Sequence, residues 1–137
     1  MIAGIGIDIV EVERIRQVIA RHGEHFLERI YTADEICYCG EKRESAQHFA
    51  GRWAAKEAVM KVLGTGFVRG IGFRDIEVKV KPSGEPYVVL HEGVARFAQQ
   101  RGITQVWISL SHCRSHAVAL AIGWSGSAGE PPFRQLA

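Results

Sequence analysis

Two carboxylates and one lysine occupy positions where charged side chains are costly. Asp8 lies inside the apolar run GIGIDIV, and Glu57 lies in the middle of the segment RWAAKEAVMK. An isolated carboxylate in a buried strand is unfavourable unless a positive group pairs with it. Lys61 follows Glu57 by one helical turn, and the glycine turn GTG begins at Gly64. Carboxylates, an ammonium group and a glycine turn together suggest a site for magnesium and phosphate.

Each of these residues also has a simpler interpretation. Asp8 could end its strand and cap the next helix, and a Glu-to-Lys pair at i,i+4, such as Glu57 and Lys61, is common on helix surfaces. The alanines around Glu57 favour the chemical interpretation, because they give the helix a close-packed face. Magnesium needs only one or two protein carboxylates when substrate phosphates supply further oxygens. Asp8 and Glu57 are therefore the predicted metal ligands.

Pyrophosphate chemistry requires positive charge around the phosphates, and the same helix carries it. Arg52 and Lys56 stand on the turns next to Lys61, so all three are predicted phosphate contacts. His112, in the segment SHCRSH, is either a phosphate or acid–base contact or a plain turn histidine.

Two arginines of the first predicted helix are placed to share one face. Arg14 and Arg21 are seven residues apart, which is close to two full helical turns. The pair is either an ordinary solvated basic face or a docking surface for an acidic partner.

Composition excludes several classes of protein. The chain has 137 residues, 47% of them hydrophobic and 23% charged, which is enough for one compact domain. The net charge of +2 is too small to indicate nucleic-acid binding. The apolar stretches are too short for a membrane span, and the first residues do not resemble a signal peptide. Three cysteines, an odd number, argue against a disulfide framework and favour a cytoplasmic protein.

Periodicity and turn residues predict the elements that must position these side chains. We expect an α+β fold around an antiparallel sheet, with a long central helix, in a single domain at 1–124 and a flexible tail at 125–137. The predicted strands are 2–10 (buried), 76–80, 87–90, 106–111 and 117–123, and the predicted helices are 11–22, a short helix around 26–30, one that starts after Thr32, 45–63 and 92–101.

Four motifs in order resemble the holo-(acyl-carrier-protein) synthases, the small bacterial type of 4′-phosphopantetheinyl transferase. They are GIGIDIVE with the following RI, RWAAKEA with the following LGTG, DIEV with GEP, and SLSH ending at His112. The similarity runs from Ile2 to about Ile122. It implies the 4′-phosphopantetheinyl transferase fold and a homotrimer with active sites between subunits.

The resemblance also implies a reaction, used in fatty acid biosynthesis. The phosphopantetheine arm of coenzyme A would pass to a serine of apo acyl carrier protein in the presence of magnesium, and adenosine 3′,5′-bisphosphate would leave. Asp8 and Glu57 would hold the metal, and Lys61 would stabilise charge on the phosphates. Either Glu57 or a metal-bound water would take the proton of the serine.

The remaining roles come from the same family match. Arg52 and the turn at 83–86 would contact the adenosine end, and His112, from across the interface, would contact the nucleotide phosphate. Arg14 and Arg21 would receive the acidic carrier protein. The predicted catalytic residues are Glu57, Lys61 and His112, and the predicted coenzyme A contacts are Arg52, Lys56, Lys61, Gly64, Ser83, Gly84, Pro86 and His112.

Two other classes of function remain as alternatives. A non-catalytic trimer could hold coenzyme A or the carrier protein without transfer, although the intact Asp8, Glu57 and Lys61 argue against this. A magnesium-dependent pyrophosphohydrolase would cleave nucleotides without a protein acceptor.

Overall fold

The computed structural model describes residues 1–64 and 72–126, and these form two antiparallel sheets and five α-helices. Most of the glycine-rich loop predicted at 64–72 and of the tail predicted at 125–137 therefore lies outside the described residues. In chain order the elements are β1 (Ile2–Glu11), α1 (Val12–His22), α2 (Glu24–Ile30), α3 (Ala33–Gly40), α4 (Ser45–Leu63), a 3-10 turn (Phe73–Asp75), β2 (Ile76–Val80), β3 (Pro86–Leu90), α5 (Glu92–Gln100), β4 (Ile103–His112) and β5 (His116–Ser125).

The larger sheet has the strand order β1–β5–β4, and the hairpin of β2 and β3 forms the second sheet. Asp8 pairs with Ala119 of β5, and His112 at the far end of β4 pairs with Ala117. Asp8 and His112 therefore lie on the two outer strands of the same sheet. The predicted α+β class with an antiparallel sheet and a central helix is confirmed.

Helix α4 packs directly on the larger sheet because small residues meet on both sides. A Cβ atom added at Gly6 would lie 2.0 Å from the Ala58 carbonyl oxygen, so only glycine allows this approach. On the helix, Ala54, Ala55 and Ala58 are fully buried. The close packing predicted from the alanines is confirmed, and it holds β1 against the helix that carries Glu57.

The prediction of a buried first strand is wrong for one of its two faces. Gly6 and Val10 are buried against α4, but Ile5, Ile7 and Ile9 are 63%, 60% and 64% exposed in the single chain. Successive side chains of a strand point to opposite faces of the sheet. Because both faces of this strand are apolar, the sequence shows no alternation that would reveal the exposed face. Asp8 points to the helix side, where its side chain is 18% exposed.

Local signals predicted helix ends well. Thr32 and Glu35 form the expected capping box at the start of α3, and Gly64 ends α4 in the left-handed conformation with φ of 71°. Strands β4 and β5 extend beyond their predicted ranges, and β5 includes Ser125, one residue past the predicted domain boundary.

None of the helices in residues 1–64 and 72–126 has the length and apolar character needed to cross a membrane.

Candidate functional site

Asp8, Glu57 and Lys61 come together where β1 meets α4, and we call these three residues the carboxylate cluster. The Lys61 ammonium donates to the Ile7 carbonyl at 2.7 Å and lies 3.4 Å from the Asp8 carboxylate. The ion pair of Lys61 is therefore with Asp8 on the strand rather than along the helix, which removes the simple i,i+4 interpretation of Glu57 and Lys61. The sequence prediction that these three residues share a site agrees with this geometry.

The negative charge of Asp8 affects the pKa of Glu57. Burial and the nearby Asp8 carboxylate raise the pKa of Glu57, while Lys61 opposes the shift. A divalent cation bound between the two carboxylates would stabilise the ionised form of Glu57. The Lys61 side chain is 52% exposed, so a phosphate group can approach its ammonium.

The donor set fits magnesium better than a closed structural metal site. Within residues 1–64 and 72–126, no three histidine, cysteine, aspartate or glutamate side chains are grouped so that they could hold a metal ion. Two carboxylates alone suffice for magnesium when waters and substrate oxygens complete its octahedron. Asp8 and Glu57 therefore match an ion that arrives together with a phosphorylated substrate.

Arg52, on another side of α4, is a buried cation. It is 4% exposed, and its guanidinium stacks over the Tyr38 ring at 4.7 Å from the centroid. In the described parts of the chain, no carboxylate lies within ion-pair distance of Arg52. A buried charge is costly unless it is paired. The arrangement therefore suits an anion supplied from outside the chain.

Three more basic side chains surround Arg52 and Tyr38. His48 packs edge-on against Tyr38 and against His112, with ring centroids 6.2 Å and 5.2 Å apart, and the Lys42 ammonium lies 4.4 Å from the Tyr38 centroid. We call Arg52, His48, His112 and Lys42 the cationic cluster. Sequence reasoning predicted Arg52 and His112 but missed His48 and Lys42. The signal available for His48 was its spacing of one helical turn before Arg52.

Lys56 was predicted to contact phosphate, and the structure contradicts this. Its side chain is fully buried, and its ammonium donates to Glu35 at 2.8 Å, the Phe73 carbonyl at 3.0 Å and the Ile76 carbonyl at 2.5 Å. All three hydrogens of the ammonium therefore have acceptors inside the protein. Lys56 ties α4 to α3 and to the segment that leads into β2, and a ligand does not reach it.

The carboxylate of Glu35 does more than its capping role indicates. Besides Thr32 and Lys56, it accepts a hydrogen bond from the Val78 backbone N–H at 3.2 Å. Thr32 in turn donates to Glu77, whose other oxygen lies 3.0 Å from the His91 ring. This network fixes the β2–β3 hairpin to the helices. Only the capping box could be predicted from local sequence.

The two clusters lie on opposite flanks of α4. Glu57 is about 180° around the helix from His48 and about 140° from Arg52, at 100° per residue. Between the flanks, the sheet covers one side of α4, and on the other side Trp53 of α4 stacks on Phe73 with centroids 4.8 Å apart. A small ligand therefore cannot touch both clusters of one chain without crossing the core.

Ser83 and Gly84 lie in the turn of the β2–β3 hairpin and Pro86 begins β3, and the neighbours of these residues line two grooves. One groove, of about 380 Å³, runs between α3 and the hairpin, and its walls include Tyr38 and Tyr87. The Arg52 guanidinium lies over the Tyr38 ring, so this groove adjoins the cationic cluster. The other groove, of about 560 Å³, lies on the opposite side of the hairpin against β4.

The remaining predicted residues lie apart from both clusters. Arg14 and Arg21 are exposed on α1, and neither forms an ion pair with a residue in the described ranges. Arg16 instead pairs with Glu13. Gly64 ends α4, and the loop that follows it lies outside the described residues.

Residues 4–121 match the sequence model of the 4′-phosphopantetheinyl transferase superfamily. The chain is 45% identical over 126 residues to holo-(acyl-carrier-protein) synthase of Halothermothrix orenii, which covers 92% of this chain and all of that protein. It is 49% identical over 122 residues to the synthase of Koribacter versatilis, which covers 89% of this chain and 98% of that protein.

Solved structures agree with this match. The holo-(acyl-carrier-protein) synthase of Neisseria meningitidis superposes with a TM-score of 0.84 at 30% identity and covers 91% of this chain and 100% of that one. The synthase of Helicobacter pylori, in complex with coenzyme A, superposes with a TM-score of 0.78 at 32% identity, covering 88% and 99%.

Proposed function

The chain belongs to the 4′-phosphopantetheinyl transferase superfamily, and we propose that it transfers the phosphopantetheine arm of coenzyme A to a serine of apo acyl carrier protein. Adenosine 3′,5′-bisphosphate is the second product of this reaction. The observation that carries the proposal is the pairing of a carboxylate cluster with a separate cationic cluster. A substrate that carries both a diphosphate and a further phosphate needs both.

The carboxylate cluster acts on the diphosphate. Asp8 and Glu57 would hold magnesium, and the bound ion would neutralise charge on the diphosphate oxygens. Lys61, held between the Ile7 carbonyl and Asp8, donates to the phosphate on which negative charge grows. Most of the rate enhancement would come from positioning and charge stabilisation.

Glu57 is the proposed general base. The serine oxygen attacks the phosphorus next to pantetheine, the serine proton passes to the Glu57 carboxylate, and the bond to the bridging diphosphate oxygen breaks. Burial and the Asp8 charge raise the pKa of Glu57 in the metal-free site, which favours proton uptake by this carboxylate. Magnesium held by Glu57 would oppose that shift, so a water held by the metal is the alternative proton acceptor.

The cationic cluster holds the nucleotide end. Arg52 and His112 would bind its phosphate, and the groove between Tyr38 and Tyr87, next to the turn of residues 83–86, would accept the adenosine. Lys56 is withdrawn from this set because its ammonium is satisfied within the core.

A homotrimer with shared sites follows from the same proposal. The 3′-phosphate and the diphosphate of coenzyme A are attached to one ribose, whereas the two clusters of one chain are separated by a helix that is about 10–12 Å thick. The carboxylate cluster of one protomer would therefore face the cationic cluster of its neighbour. The exposed Ile5, Ile7 and Ile9 supply an apolar face for assembly. Sedimentation velocity would test the mass, and a monomer would contradict this part.

The acidic carrier protein would dock on Arg14 and Arg21, whose charges are not paired with other described residues. Such an association should weaken as salt rises. Three free cysteines fit a reducing compartment, and we infer a cytoplasmic location.

Intact-protein mass spectrometry tests the function. Apo acyl carrier protein is incubated with the enzyme, coenzyme A and magnesium, with EDTA as a control and Glu57→Gln as a matched inactive variant. We expect the carrier protein to gain one phosphopantetheine arm, and EDTA to prevent the gain. Coenzyme A binding without transfer would favour a non-catalytic binding trimer. Release of the bisphosphate without modified carrier protein would favour a pyrophosphohydrolase.

A further inference from the structure

We propose that His48 determines specificity for the ribose 3′-phosphate of coenzyme A, because its ring takes up a proton when that phosphate enters the cationic cluster. This inference rests on the proposed function. It adds a residue that none of the sequence motifs includes, and it gives substrate binding a defined pH dependence.

His48 contacts His112 directly and shares the Tyr38 ring with Arg52 and Lys42. It lies one turn before Arg52 on α4, and its ring meets His112 of β4 and Tyr38 of α3. Arg52 and Lys42 both lie over the Tyr38 ring, at 4.7 Å and 4.4 Å. The Arg52 charge also acts on the His48 ring from the next turn of α4, so an anion bound by Arg52 would lie close to His48.

The surroundings disfavour the charged form of His48 when no anion is present. Burial comes first, and then the charges of Arg52, His112 and Lys42, and together they lower the pKa of His48. The groups that face the ring are Arg52 on its own helix, Lys42 and Tyr38 on the α3 side and His112 on β4. Nothing acidic is among these groups.

A bound phosphate reverses this balance. A phosphate monoester carries about two negative charges near neutral pH. It pairs with Arg52 and favours the imidazolium form of His48, so the proton affinity of His48 rises on binding. Coenzyme A should then bind more tightly as the pH falls. The gain in affinity begins at the pH at which His48 of the complex takes up a proton, and it ends at the pH at which His48 of the free protein is already charged.

Calorimetry on the intact protein tests this directly. Coenzyme A and 3′-dephospho-coenzyme A are titrated from pH 6 to 8.5 in two buffers of different ionisation enthalpy, with wild type and His48→Phe. The phenylalanine ring keeps the packing against Tyr38 and His112 without a titratable nitrogen. We expect wild type to take up protons with coenzyme A but not with the dephospho compound. In His48→Phe the uptake should fall, and affinity at pH 6 should drop about tenfold while affinity at pH 8.5 changes little.

The controls separate this inference from its premise. The phosphate itself titrates near pH 6, but it does so equally in wild type and variant. His25→Gln, an exposed histidine on α2, should behave as wild type. His48→Gln, which also lacks the charge, should repeat the loss if His48→Phe folds poorly. Normal arm transfer with unchanged proton uptake in both His48 variants would overturn the role of His48 alone. Absence of transfer by wild type, with proton uptake intact, would overturn the proposed reaction instead.

Discussion

Lys56 and Arg52 are two buried cations one turn apart on the same helix, and they differ in what surrounds them. Lys56 meets Glu35 and two backbone carbonyls within 3.0 Å. Arg52 stacks on Tyr38 and has no carboxylate at ion-pair distance among the described residues. Both were predicted from sequence to bind phosphate, and the surroundings retain only Arg52 for that role.

The difference separates stability from binding. A buried charge whose partners are internal stabilises one arrangement of the chain, and removal of one partner leaves the other uncompensated. A buried charge without an internal partner costs stability until a ligand of opposite sign arrives. Substitutions at the two positions should therefore act on different measurements.

The largest effect is expected from Lys56→Met. The substitution leaves Glu35 charged and buried, so the free energy of unfolding should fall by about 3–5 kcal/mol. Urea denaturation followed by circular dichroism measures this. Adding Glu35→Leu in the same chain should recover most of the loss, because the uncompensated charge is then removed. A single Lys56→Met variant as stable as wild type would mean that the pair contributes nothing.

Arg52→Met should affect ligand affinity more than stability, and the effect should be smaller than that of Lys56→Met. The free energy of unfolding should stay the same or rise by up to about 1 kcal/mol, because a desolvated charge is removed, the contact with Tyr38 is partly lost and no buried partner loses its counter-charge. Coenzyme A affinity should fall about 10- to 100-fold through loss of charged hydrogen bonds. Paired calorimetry and urea denaturation would check both, with Arg52→Lys retaining the charge but not the fork of donors. Unchanged affinity would remove Arg52 from the nucleotide site.

Glu57→Gln should give the smallest change in stability, although it abolishes transfer. Because the folded-state pKa of Glu57 is raised, the native state loses stability as the pH rises through that pKa, and a neutral glutamine avoids the loss. Glu57 is only partly buried, so solvent screens its charge and the gain should be about 0.5 kcal/mol or less. Thermal unfolding in EDTA at pH 8 and pH 4 measures it. The advantage should vanish at pH 4, and a variant less stable at pH 8 would contradict the prediction.

Much of the fold could be predicted because its signals are local. The capping box of Thr32 and Glu35, the stop at Gly64 and the alanines of α4 act through neighbours on the same element. The carboxylate cluster could also be predicted in outline, since charges in apolar runs are informative wherever they occur. The half-exposed β1 could not, because unbroken apolar runs occur both in strands buried on two faces and in strands whose second face is left for a partner.

By itself, the sequence determined which charged side chains are candidates for catalysis and which elements carry them. The tertiary structure decided which of those charges are free to bind. Lys56 and Glu35 are 21 residues apart, and His48 and His112 are far more distant still. No local pattern encodes such contacts, because they arise only when α3, α4 and the sheet pack together. Desolvation and charge pairing depend on that packing, and they give Lys56 a counter-charge inside the core while Arg52 has none among the described residues.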